Sequence, residues 1–240
     1  MFYTQSDYNI RCEWGAAGIA NLAPLCDAII IVDVLSFSTC IDIAVTRGAI
    51  IYPYAWSAKD LDAYAASLNA QIAGPNRSDT GRFTLSPSSL LNIQPGTRLV
   101  LPSPNGSTLS MMTGDKPTFA GCIRNAQAVA EAAMRVGKNL LIVPAGERWP
   151  DGTIRPALED LIGAGAIIRH MADALTLSPE AQTAMIAYGN FAEEIYATLR
   201  ECSSGKELIE RGFTNDIDLA ANLNISTSAP RLIDGAYRRG

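Results

Sequence analysis

The residues best suited to chemistry stand where apolar runs give way to helix starts. In IIIVDVLSFST, Asp33 closes an apolar run, and Ser36, Ser38 and Thr39 open the next segment. A carboxylate there suits a hard cation, and the hydroxyls and amides of a helix start suit phosphate oxygens. Ser36 also reads as a plain N-cap. In LVLPSPNGSTLS, Asn105, Gly106 and Ser107 turn from strand to helix. Gly106 lets a ligand approach the backbone there, and consecutive amides form an anion-binding concavity. In FAGCIRNAQAVA, Arg124 can clamp a phosphate or carboxylate through two bonds, or serve as a surface arginine. Asn125 beside it is either a ligand contact or a helix cap. In LLIVPAGERWPDGTIRPALEDLIGAGAII, Glu147 and Arg148 follow an apolar run, and Glu159 and Asp160 stand in the first turns of a helix. Acids are favoured there by the helix dipole alone.

Several hydrolytic chemistries are excluded by residue type. With one histidine, His170, no HExxH zinc site or two-histidine phosphatase is possible, and no Ser-His-Asp triad has a plausible base. No cysteine opens a C-x5-R loop, no GxxxxGK[ST] loop is present, and DVLSF lacks the second acid of an aspartyl-phosphate motif. What remains is carboxylates, hydroxyls and arginines at strand ends, a set suited to Mg²⁺ and oxyanions.

These groups need a scaffold that brings strand ends together. Short Ile/Val/Leu runs alternate with amphipathic stretches, which predicts an α/β fold, three-layered α/β/α, with a mostly parallel or mixed sheet. Strands are expected at 28–32, 49–52, 98–101, 118–122 and 139–143, with an edge strand within 8–14. Helices are expected near 37–47, 57–69, 106–112, 125–136 and 157–171, followed by a helical C-terminal region over 178–219. The stretch 74–95, rich in Gly, Pro and Ser and carrying Arg77 and Arg82, reads as a long loop.

Of the 240 residues, 48% are hydrophobic and 18% charged. One domain over 1–240 is expected, with two fused halves, 1–100 and 101–240, as the alternative. No apolar run approaches the ~18 residues that span a bilayer, and the first residues lack the flank of a signal peptide. A cytoplasmic location without membrane contact is expected. The five scattered cysteines suggest small core residues rather than disulfides or zinc ligands. A net charge of −5 without a cluster of Lys and Arg argues against nucleic acid and for a small soluble ligand.

Taken in order, VDVLSFSTCIDIAVTRGA, LPSPNGSTL, GCIRNAQAVA and AGERWPDGTIRPALEDLIGAGAI resemble the 2-phosphosulfolactate phosphatase family over most of the chain. That family is a magnesium-dependent group named for a step in coenzyme M biosynthesis. The resemblance implies hydrolysis of a phosphate monoester on a small phosphorylated acid, with Mg²⁺ as cofactor. It places Asp33, Asn105, Gly106, Glu147, Glu159 and Asp160 on the family's polar motifs. Asp33 with one or more of Glu147, Glu159 and Asp160 is then expected to hold Mg²⁺. Asp33, Glu147 and Asp160 are the expected catalytic acids. Ser36, Ser38, Thr39, Asn105, Gly106, Ser107, Arg124, Asn125 and Arg148 are the expected substrate contacts. The family pattern reads DVLRA where this chain has Ser36, so the lost positive charge is expected from another loop, from Arg148 first and then Arg124. A non-catalytic anion-binding protein and a lyase or transferase on a related phospho-acid are the alternatives, and a homo-oligomer is left open.

Overall fold

The computed structural model describes residues 1–55 and 60–240. In chain order its strands are β1 (Ile10–Cys12), β2 (Ala28–Val32), β3 (Ile50–Ala55), β4 (Gln71–Ile72), β5 (Arg98–Ser103), β6 (Thr118–Gly121), β7 (Leu140–Pro144), β8 (Glu147–Arg148), β9 (Ile154–Arg155), β10 (Pro230–Ile233) and β11 (Ala236–Arg239). The helices are α1 (Gly15–Leu22), α2 (Phe37–Thr46), α3 (Leu61–Ser67), α4 (Gly106–Met111), α5 (Ala126–Val136), α6 (Leu158–Arg169), α7 (Pro179–Phe191), α8 (Ile195–Glu201), α9 (Ser203–Glu210) and α10 (Thr214–Ala220). The expected helix start at 57–59 lies outside the described residues.

Among the described residues, nine strands form one sheet in the order β1-β7-β2-β6-β10-β11-β3-β5-β4. β1, β7, β2 and β6 run parallel to one another, as do β3, β5 and β4. Between the two blocks sits the hairpin β10-β11, antiparallel to β6 on one side and to β3 on the other. Counting these reversals, the two blocks have opposite polarity. In sequence β3, β4 and β5 fall between β2 and β6, so the second block is inserted within the first.

The three layers follow from side-chain alternation. In β2, Ile30 and Val32 point into one core with α5, α6 and α7, while Ile29 and Ile31 point into another with α1 and α4. α5 buries Ala126, Val129, Ala130 and Ala133, the stripe that a 3.6-residue period presents to a sheet. Around β3 and β5, Ile51, Leu99 and Leu101 meet α2 on one face, and Tyr52, Tyr54 and Val100 meet Ala65 of α3 on the other. Gly165 lets α6 and α7 approach closely, since a Cβ there would collide with the Ala184 carbonyl of α7. All five cysteines are free and buried. No helix among the described residues is long and apolar enough to cross a membrane.

α1, β4, the small hairpin β8-β9 and the hairpin β10-β11 were not anticipated. The hairpin β10-β11 turns at Asp234 and Gly235, both with positive φ, 50° and 75°. Asp-Gly is the pair that a type I′ hairpin turn requires. This signal was present in RLIDGAYRR, and it marks the piece that joins the two blocks.

Candidate active site

Asp33 leaves β2 as a buried carboxylate whose two oxygens are both engaged. Oδ1 accepts from Phe37 N at 3.0 Å and Oδ2 from Gly106 N at 2.8 Å. One carboxylate thereby caps the starts of α2 and α4, joining β2 to the end of β5 in the opposite block. Gly106 is required at this point: a Cβ would press on the Phe37 ring and lie 2.8 Å from Asp33 Oδ2. Burial pushes the Asp33 carboxyl above its ordinary value, against the pull of the two amides and of Arg77.

Asp160, in the first turn of α6, plays a parallel part. Its oxygens accept from Val34 N and Gly146 N, each at 2.8 Å, so it pins the segments leaving β2 and β7. Burial, then the charges of Glu159 and Asp33, hold its carboxyl well above the usual range. Glu159 is buried beside it and faces Cys202. Glu147 opens the small hairpin β8-β9 and accepts from Asn105 Nδ2 at 2.9 Å. Its carboxyl is pushed up to about 7 by burial and then by the charge of Asp33.

A cavity of about 520 Å³ gathers Asp33, Ser36, Arg77, Ser103, Asn105 and Glu147. Its outer wall carries Leu61, Ile72, Leu85 and Leu208 with Arg82 and Arg211. The loop 74–95 therefore contributes directly to the site. Arg77 Nη1 donates to Ser36 Oγ at 3.0 Å and faces Asp216 Oδ2 at 3.3 Å. The Leu35–Ser36 peptide is cis.

The other expected contacts are turned elsewhere. Ser38 Oγ donates to Ile31 O and accepts from Asp33 N, Thr39 Oγ1 donates to Val34 O, and Ser107 Oγ donates to Leu101 O. These hydroxyls hold helix starts to strands, and all three are fully buried. Asn125 caps its own turn, accepting from Cys122 N and donating to Ala120 O. Arg124 follows β6 yet reaches back to α2, with Nε on Asp42 Oδ2 at 2.9 Å and Nη1 on Leu219 O. Arg148 donates to Gly152 O within its exposed hairpin. The cation against Ser36 is thus Arg77, not the expected Arg148 or Arg124. Both of those stand after strands of the Asp33 block, but their reach is spent on local partners. Arg77 and Asp216 went unassigned because no strand end marks them, and the two arginines in a long loop were the one signal available.

Residues 19–235 match the family model described as 2-phosphosulpholactate phosphatase. A relative from Carboxydothermus hydrogenoformans, named "Probable 2-phosphosulfolactate phosphatase", is 31% identical over 215 residues, 85% of each chain. A second, from Methanothermobacter thermautotrophicus and named "2-phosphosulfolactate phosphatase", is 27% identical over 208 residues, 86% of this chain and 87% of its own. A third, from Thermotoga maritima and named "Probable 2-phosphosulfolactate phosphatase", is 28% identical over 144 residues, 59% and 60% of the two chains.

Proposed function

The chain belongs to the 2-phosphosulpholactate phosphatase family, and on that premise we propose that it is a phosphoric monoester hydrolase that uses Mg²⁺ to cleave the phosphate ester of a small acid such as 2-phosphosulfolactate, giving sulfolactate and phosphate. The observation that supports this most is that Asp33 and Glu147 line one cavity together with Asn105, Ser36 and Arg77.

The donor set fits Mg²⁺, which takes one or two carboxylates and fills its remaining positions with water and substrate phosphate. Glu147 and Asp33 repel each other across the cavity wall, and a divalent cation removes that repulsion. No group of three His, Cys, Asp or Glu side chains among the described residues is arranged to hold a metal ion. The ligand pair proposed is Asp33 with Glu147, the two of the expected carboxylates that line the cavity. Asp160, unlike Asp33, does not line the cavity, and with its oxygens on Val34 N and Gly146 N it is assigned to holding the strand ends. Held by Asp33 and Glu147, such an ion would supply Lewis-acid polarisation of the phosphoryl group.

The chain's own residues do the remaining work. Asn105 orients Glu147, and the two amides on Asp33 keep that carboxylate from rotating. Ser36 and Arg77 face the substrate. Ser38 is closed off by its two backbone partners, so the displacement proposed is direct attack of water on phosphorus, without a serine intermediate. The substrate-binding set thereby narrows to Ser36, Asn105 and Arg77.

A screen of phosphorylated small acids with and without Mg²⁺ tests the reading. Mg²⁺-dependent release of inorganic phosphate supports it. Binding without any release returns the anion-binding alternative. Products other than phosphate and the parent hydroxy acid return the lyase or transferase.

A further inference from the structure

Loop 74–95 brings an arginine into the cavity, and a buried acid from the C-terminal helices ties it down. The Arg77 and Asp216 side chains are only 12% and 1% exposed. Asp216 gives Oδ2 to Arg77 Nη1 and turns Oδ1 back to the same loop, accepting from Ser86 Oγ at 2.8 Å, Ser88 N at 3.0 Å and Ser88 Oγ at 2.6 Å. One carboxylate on α10 thereby fixes both the arginine and the turn that closes the loop. Its charge is spread over several donors, which leaves the positive field of the guanidinium open on the cavity side.

A guanidinium carries five N–H donors in a planar fork. Nη1 of Arg77 is occupied by Ser36 and Asp216, whereas Nε and Nη2 make no hydrogen bond among the described residues. The other cations of the wall are placed differently. Arg211 pairs with Glu207 at 3.0 Å on an exposed helix face, and Arg82 is exposed on the loop. A second anion on the substrate, entering beside Asp33 and Glu147, is repelled unless a fixed cation meets it. Arg77 is the cation held in that position.

We propose that Arg77 is the specificity-determining residue for the substrate's second acid group, the carboxylate or sulfonate beyond the phosphate, and that Asp216 is the residue that positions it. The assignment rests on the phosphatase reading above and deepens it by naming the residues that read the substrate's second anion. Holding Arg77 in place before binding lowers the ordering cost of recognition, so the contribution of Asp216 falls on affinity for the two-anion ester.

The test compares 2-phospholactate, which has a phosphate and a carboxylate, with phenyl phosphate, which has the phosphate alone. In Mg²⁺, Arg77→Met should lower kcat/KM for 2-phospholactate by about 10- to 100-fold, mainly through KM, and for phenyl phosphate far less. Arg77→Lys should recover part of the loss. Asp216→Asn should show the same discrimination loss at smaller size, and Arg211→Met, which removes a wall cation paired with Glu207, should retain the wild-type ratio between the esters. Equal losses on both esters, unchanged kinetics in Arg77→Met, or an Arg211→Met ratio matching that of Arg77→Met would overturn the assignment. If the wild-type protein hydrolyses neither ester, the phosphatase reading fails. The assignment is then decided by calorimetric binding of the same two esters to wild type and Arg77→Met: selective loss of 2-phospholactate binding upholds it, and parallel or absent loss rejects it.

Discussion

Asn105 Nδ2 donates to Glu147 Oε2 at 2.9 Å, linking a residue that follows β5 to one that follows β7. These strands belong to blocks of opposite polarity, so the bond crosses the join of the fold and sets a titrating carboxyl against Asp33.

That relationship gives a pH dependence. Glu147 titrates at about 7 in the folded protein against 4.5 for the free side chain, so the native state holds a proton that the unfolded chain releases. Stability present below pH 4.5 is therefore lost as pH rises through about 7. Asp33 and Asp160, also raised, act in the same direction. The melting temperature of the metal-free protein should fall across this window, and Mg²⁺ should restore it most at the alkaline end. Glu147→Gln should flatten the slope. A melting temperature that rises with pH in the metal-free protein would contradict the assignment.

Asp33→Asn should cost stability as well as activity. Both carboxylate oxygens accept backbone N–H groups, so an amide must turn its NH2 against either Phe37 N or Gly106 N. Leaving one buried donor unmet costs about 1 to 3 kcal/mol. Urea unfolding should show that loss, and Mg²⁺-dependent turnover should disappear. A variant as stable as wild type would mean that the two amides do not depend on the carboxylate.

Gly106→Ala places a methyl group against the Phe37 ring and Asp33 Oδ2. Overpacking of this kind costs about 1 to 3 kcal/mol. Because the pressure falls on Asp33, kcat should drop even where the variant remains folded. Full activity in a folded variant would show that the turn has room to adjust.

Arg124→Met should behave as a core lesion. Its Nε meets a fully buried Asp42, which also accepts from Ser226 Oγ. Removing the arginine leaves an uncompensated buried charge, at about 3 to 5 kcal/mol. Chemical unfolding should register that loss, while the ratio of kcat/KM between two-anion and one-anion esters should stay as in wild type. A changed ratio with unchanged stability would return Arg124 to the substrate.

The local signals in the chain were sufficient for most elements and for placing Asp33, Asn105 and Glu147 just after strands, where they line one cavity. The apolar run 28–32 became a strand over the expected residues because Ile, Val and Ala there have no polar atom to satisfy elsewhere. The helix starts at Phe37 and Gly106 were legible because strand-to-helix turns have a local chemistry of hydroxyls, Asn and Gly. The resemblance, carried by four short motifs, was likewise local, and the match over 19–235 agrees with it.

Tertiary structure decided which polar groups are spent on the fold and which face the cavity. Ser38, Thr39, Ser107 and Asn125 look like ligand contacts in one dimension, yet each satisfies a buried backbone group nearby. Asp160 and Asp42 are likewise consumed, by amides from two segments in one case and by Arg124 in the other. Arg77 and Asp216 lie 139 residues apart and meet only because loop 74–95 folds over Ser36 and α10 packs beneath it. Local propensity acts over a few residues, so sequence alone specified the strands, the helix starts and the acids at their ends. The pairing of distant charges depends on how the hairpin β10-β11 joins two blocks of opposite polarity, and burial makes a polar group left unpaired there costly.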